Sequence, residues 1–286
     1  VTAASETTLT ANGLRHRVLR WGEQPVDVVL CHGFLDVAWS FDALAQQLVG
    51  DGYGVASFDW RGHGGSEWIG AGGYYHFPDY VLDLDELLPQ LSPRPIHLVG
   101  HSMGGSACAM FAAARPERIR SLALIEGIGP PEMEPSDPAK RLKAWLDGVA
   151  RVRGKEPKPM ADVAGAIKRM RVQNPELGDD LGAFLVEKST RAVEGGLQWT
   201  FDPLHKTWSP RPFSADAFGH VLAAIDAPTL VVQGERGFRL ADERARVERI
   251  RNRERVEIAD VGHMIHWFAP HALAEALSGF FARHPA

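Results

Sequence analysis
The sequence predicts an α/β fold: a mostly parallel central sheet, helices on both faces, and one helical insertion. Three observations carry this. Short apolar runs of strand length, such as Val28-Val29-Leu30-Cys31 and Leu230-Val231-Val232, alternate with stretches whose apolar residues recur at helical spacing. The strand runs are apolar throughout rather than at every second residue, which suits strands covered on both faces. One run, Pro95 to Val99, leads into Gly100-His101-Ser102-Met103-Gly104, a glycine-flanked serine between a strand and a small-residue helix. The 286 residues suit one large domain with an insertion and are too few for two full-sized ones.

Glu6 to Trp21 should form the first two strands, turned at Asn12-Gly13, a dipeptide that favours tight hairpins. Val26–Cys31 is the third strand. A helix near Ser40–Val49 follows, with Phe41, Leu44, Ala45 and Leu48 on one face. Val55–Phe58 is the fourth strand and ends in the polar, glycine-rich run Asp59 to Ser66. Pro78 suits the first turn of a helix in which Val81, Leu84, Leu87, Leu88 and Leu91 repeat. The serine turn, the helix Ser106–Ala114 and a sixth strand, Ile119–Glu126, come next.

After Glu126 the character changes. Gly127-Ile128-Gly129-Pro130-Pro131 is a breaker cluster. From 129 to 212 strand signal is scarce, and 142–146, 163–167 and 183–186 are apolar centres of helices separated by prolines. Pro228–Gly234 is the seventh strand. Arg244 to Arg255 alternates arginine with glutamate and is expected to be a solvated helix face. Arg255–Ile258 is the last strand, before a final helix to about Ala282. The expected division is 1–128 and 213–286 for the core and 129–212 for the insertion.

A serine between glycines at a strand-to-helix turn sits on a sharply bent backbone that lifts its hydroxyl out of the sheet edge. Three further segments join it: His32-Gly33-Phe34 after the third strand, Asp59 to Ser66 after the fourth, and Val261-Gly262-His263-Met264-Ile265-His266 after the last. With these motifs in this order the sequence resembles the α/β-hydrolase fold superfamily, in its capped serine-hydrolase branch. The resemblance runs from about Gly13 to the final helix.

The resemblance implies Ser102 as nucleophile and His263 as its base, since the family places the base on the loop after the last strand. His266, three residues on, is the alternative base, and otherwise a packing residue behind the site. His97 and His101 are expected to be structural. The oxyanion hole carries over to the backbone N–H groups of Phe34 and Met103. The acid departs from the commonest pattern. Many relatives hold an aspartate three residues after the glycine that ends the seventh strand, and that position here is Gly237. Glu126, ending the sixth strand, is the preferred acid, with Glu235 and Asp242 as alternatives. The resemblance also makes 129–212 a helical cap. His32 is expected to brace the oxyanion loop, and His32, Phe34 and Trp145 are the candidates to line a substrate pocket. The Asp59–Ser66 loop is expected to brace the floor of the site.

Composition excludes several classes. The net charge of −5 gives no reason to expect nucleic acid or an anionic membrane as partner. Cys31 and Cys108 lie in apolar elements and suggest reduced core residues rather than a disulfide framework. No apolar run is long enough to cross a bilayer, and Val1 to Ser5 lacks a signal-peptide pattern, so a cytoplasmic location is the default expectation. No histidine or cysteine spacing fits a zinc site, no lysine completes a P-loop, and no G-x-G-x-x-G follows a first strand, so neither metal nor cofactor is expected. Oligomeric state is not legible.

The expected function is a cofactor-free serine esterase cleaving small to medium carboxylic esters through an acyl-enzyme. C–C bond hydrolases and lactonases share the machinery and are the alternative. A ligand receptor retaining the fold is the non-enzymatic one, and repeated turnover of a chromogenic ester separates it. Serine at position 102 argues against haloalkane dehalogenases and epoxide hydrolases, which resemble this fold but use aspartate there.

Overall fold
Asn12 and Gly13 both adopt positive φ, 45° and 74°, and turn β1 (Ser5–Ala11) onto β2 (Leu14–Trp21) as an antiparallel pair. β2 then pairs antiparallel with β4 (Gly54–Phe58), which lies parallel to β3 (Val26–Cys31). Parallel pairing continues through β5 (Ile96–His101), β6 (Ile119–Ile125), β9 (Thr229–Gly234) and β10 (Arg253–Ile258). The eight-stranded order is β1-β2-β4-β3-β5-β6-β9-β10. This computed structural model describes residues 3–132, 137–155 and 157–285. Val1 and Thr2 of the N-terminal reading, residues 133–136 and 156 of the insertion, and Ala286 lie outside the described residues.

Alternation along each buried strand feeds two cores. Val29, Leu98, Leu122, Leu124 and Val231 point to one face, where α2 (Phe77–Leu91), α3 (Met103–Ala114) and α7 (Ala215–Ala223) cover them. Val28, Leu30, Val99, Ala123, Ile125 and Val232 point to the other, under α1 (Asp42–Gly50) and α10 (Pro270–Ala282). Both faces are dry, which is why these strands carry unbroken apolar runs.

The chain steps from β3 outward to β4, then returns past β3 to β5. Its strand order therefore reverses between β3 and β5, the kind of crevice where open α/β sheets bind ligands. Cys31 and Gly100 are register partners there, so the loops after the two strands leave side by side.

Between β6 and α7 lie α4 (Pro138–Arg153), α5 (Val163–Met170) and α6 (Asp179–Ser189), as the apolar spacing predicts. They are joined by a two-stranded hairpin, β7 (Thr190–Val193) and β8 (Gly196–Trp199), that the periodicity did not predict. Its strands are four residues each, too short to show alternation, and Glu194-Gly195 makes the turn, with Gly195 at φ 81°. The solvated-face reading holds for the other arginines of Arg244–Arg255 but fails at Arg246. α8 (Glu243–Arg249) buries Arg246 to 3% exposure, where it donates to the carbonyls of Ile128 and Pro130 and pins the chain entering the insertion. No helix among the described residues is long and apolar enough to cross a membrane.

Candidate active site
Ser102 is the hinge between β5 and α3. Its φ of 52° and ψ of −117° are costly for any residue with a side chain. Close backbone packing enforces them. A Cβ on Gly100 would stand 2.6 Å from Gly104 O, and one on Gly104 would overlap the carbonyls of Cys31 and His32. Ser102 N–H donates to Ile125 O at 2.9 Å, which ties the bend to the next strand.

Beside it runs the loop after β3. A Cβ on Gly33 would lie 3.2 Å from Ser102 Cβ. Leu35, at φ 60°, donates its N–H to His63 Nε2 at 3.3 Å, and the Asp59 carboxylate accepts from Ala38 N–H, Gly65 N–H and Arg17 Nε. The Asp59–Ser66 loop thus braces this one. Among the described residues the N–H groups of Phe34 and Met103 have no protein acceptor. Met103 opens α3, so its N–H is one of the unpaired donors at the positive end of a helix.

Glu126 follows β6 at φ 50°, and its N–H donates to Val232 O. The side chain is 2% exposed. Three N–H groups converge on its carboxylate: Gly234 N at 2.9 Å, Phe238 N at 3.1 Å and His263 Nδ1 at 3.2 Å. Gly237, where the commonest pattern has aspartate, borders this space, and a Cβ there would overlap the Glu126 carboxylate. The missing side chain and the incoming glutamate are one steric solution. His263 is 24% exposed, and its Nε2 has no protein partner among the described residues. The backbone oxygen of His263 accepts from His101 Nε2 at 3.0 Å, which links the histidine loop to the serine turn. No hydrogen bond joins Ser102 Oγ to His263 among the described residues; such contacts often close only when substrate is bound.

A family model described as alpha/beta hydrolase fold matches residues 27–270. The chain belongs to the α/β-hydrolase family. It is 28% identical to a serine hydrolase-like protein of Danio rerio, over 97% of this chain and 88% of that one. It is 30% identical to a 3-hydroxybutyrate-oligomer hydrolase of Cupriavidus necator, over 90% of this chain and 89% of the relative. A solved thioesterase domain from the curacin biosynthetic pathway superposes with a TM-score of 0.87 at 28% identity, over 96% of this chain and 99% of that one.

The other candidates from the sequence fall elsewhere around this α/β-hydrolase site. Glu235 accepts from Asp260 N–H, and Asp242 pairs with Arg246 at 2.8 Å. His266 is wholly buried against Phe41 and bonded to Asp36. His97 bonds Ser121 Oγ and stacks on Phe281, and burial pushes its pKa down to about 3. His32 cannot line a substrate pocket, a correction to the sequence reading. It is fully buried; Nδ1 donates to Gly33 O and Nε2 accepts from Trp60 N–H, so the ring serves the loop. Trp145 on α4 packs edge-on against Tyr74 at 5.3 Å, and no ring contact places it at Ser102 or His263. Phe34 is 49% exposed and touches His205 edge-on from the inserted run.

One neighbour had no sequence signal. Phe238, 69% exposed, sets its ring edge-on to His263 at 4.8 Å while its N–H holds Glu126. Neither periodicity nor motif marks a lone aromatic in a loop, although the empty Gly237 position beside it was a clue.

Proposed function
We propose that this protein is a serine hydrolase of small to medium carboxylic esters, with Ser102, His263 and Glu126 as its catalytic triad. The single observation that supports this reading best is the buried Glu126 carboxylate on His263 Nδ1, on a loop that His101 Nε2 bonds to the strand before a serine at a strained elbow. With Nδ1–H committed to Glu126, the Nε2 lone pair is free to take the proton of Ser102 Oγ as it attacks the ester carbonyl. The oxyanion then falls to the N–H groups of Phe34 and Met103, the second aided by the α3 dipole. His263 passes its proton to the leaving alkoxide. Water, deprotonated by the same nitrogen, releases the acid from the acyl-serine.

Phe34 and Phe238 are exposed aromatics at the site, which suits an apolar acyl or alcohol group. The run 129–212 acts as the cap in this reading. Its contacts support that: Asp202 N–H donates to Gly62 O, Tyr75 OH to Asp202, and Trp68 Nε1 to Thr200 O, all on the side of the sheet where β3 and β5 end. Similarity to a hydrolase of 3-hydroxybutyrate oligomers and to a thioesterase domain supports an acyl substrate.

The test is Ser102→Ala against a chromogenic ester panel, with a fluorophosphonate label mapped by mass spectrometry. The variant is expected to keep the fold, lose at least about 10⁴-fold in kcat and lose the label. Labelling at another residue refutes the assignment.

A further inference from the structure
Asp36, His101 and His266 meet in a buried cluster behind the serine turn, and one donor atom of each lies within 4.8 Å of the others. Asp36 is 8% exposed, His101 1% and His266 0%. Hydrogen bonds set the ring roles. His101 Nε2–H donates to His263 O, so His101 Nδ1 carries a lone pair. His266 turns Nε2 to Asp36 Oδ2 at 3.1 Å. Both Nδ1 atoms are buried and lack a partner among the described residues. Asp36 also accepts from Val37 N–H and Ser40 Oγ–H, and the His266 Nδ1 points away from it. Buried polar atoms are normally paired, so the unpaired His101 Nδ1 within reach of a carboxylate and a second imidazole calls for a ligand.

We infer that Asp36, His101 and His266 form a binding site for a divalent transition-metal ion, zinc above all, separate from Ser102, His263 and Glu126. Two imidazoles and a carboxylate suit zinc, with a water completing the tetrahedron, whereas magnesium and calcium prefer all-oxygen shells. His101 binds through Nδ1 and keeps its Nε2–H on His263 O. Asp36 binds through Oδ2 and His266 through Nε2, the ion replacing the hydrogen bond between them while the His266 ring proton moves to Nδ1.

Binding at this place acts on the serine site. Donor atoms around a tetrahedral zinc stand about 3.3 Å apart, so the cluster contracts on the metal. His101 moves with it. That ring touches the His263 carbonyl, and its Nδ1 lies 2.8 Å from where a Cβ on Gly33 would be, next to the Phe34 amide. Zinc is therefore an inhibitor that lowers kcat and leaves KM nearly unchanged. This consequence alone rests on the proposed hydrolase reading.

The experiment uses the full chain, stripped with chelator and titrated with zinc chloride by calorimetry, with anomalous diffraction at the zinc edge from wild-type crystals. Expected are about one zinc ion per chain and an anomalous peak among Asp36, His101 and His266. Binding survives His263→Ala and weakens at least about tenfold in His266→Gln and in Asp36→Asn. Zinc also cuts ester kcat at least about tenfold, reversed by chelator. A peak on His263 and Glu126, binding lost in His263→Ala, or a water in place of metal at saturating zinc each overturns the site. If the variants do not fold, the wild-type anomalous map decides alone. Absent zinc binding leaves the esterase reading standing, and failed labelling of Ser102 leaves the metal site standing.

Discussion
The two halves of the site are held in different ways. The serine turn and the Glu126 corner are fixed by backbone contact. Backbone atoms leave Gly100 and Gly104 no room for a methyl group, the Glu126 carboxylate fills the space beside Gly237, and Ser102 and Glu126 both stand at positive φ. The inserted run has a small core of its own, centred on Met160, Ala166, Ile167 and Val186. It joins the rest through a few side-chain contacts, chiefly Asp202 with Tyr75, Tyr74 with Thr207, and His205 stacked on Tyr75 and His63. On the proposed reading, the chemistry rests on backbone geometry, which tolerates little change, and access on side-chain contacts, which tolerate more.

The largest effect is expected from a single methyl at the Glu126 corner. Gly237→Ala should leave the fold intact, because the atoms in its way belong to the Glu126 side-chain carboxylate and not to backbone. It should swing the Glu126 carboxylate off His263 and lower kcat by about 10²–10⁴-fold. Unchanged turnover would show that the corner is looser than described.

A smaller effect is expected at the fastening of the insertion. Asp202→Asn weakens the bonds to Tyr75 OH and Leu204 N–H and should cost about 1–2 kcal/mol, read as a lower midpoint in urea. Turnover of a short acetate ester should stay within about twofold, while KM for bulky esters shifts more. Equal damage to both would mean that the insertion takes part in the chemistry.

A further effect is in pH and leaves neutral-pH turnover untouched. Burial pushes the pKa of His97 in the core, and of His205 in the insertion, down to about 3. The unfolded chain binds these protons near pH 6.5, so the stabilisation is complete above that pH and is lost as pH falls toward 3. Each contributes a slope of up to about 1.4 kcal/mol per pH unit. His205→Gln should flatten the acid loss by one such slope, measured by urea unfolding between pH 7 and pH 5. An unchanged slope would refute the account of that ring.

The eight core strands, the serine turn and the positions of Glu126 and His263 were legible because each follows from local pattern: apolar runs, glycines at a bend, motifs at strand ends. Glu126 was reached partly by exclusion, through Gly237. What was not legible depends on contacts distant in sequence. Arg246 reads as one more arginine on a charged helix until Ile128 and Pro130 turn out to lie beside it. Asp36, His101 and His266 share no spacing, and only the fold brings them together. The β7–β8 hairpin is too short for its period to stand out. His32 sits in a motif that pointed at substrate, yet its hydrogen bonds turn it inward.

Whether Glu126 sets the His263 tautomer is read from kcat for Glu126→Gln on a chromogenic ester, with the fold checked by circular dichroism. Glutamine keeps the shape but not the charge, and it no longer favours the His263 tautomer that leaves Nε2 free to take the serine proton. The expected loss is about 10²–10⁴-fold in kcat, with KM within about threefold of the parent. A folded Glu126→Gln protein with the parent's kcat, or one whose loss lies wholly in KM, would contradict it.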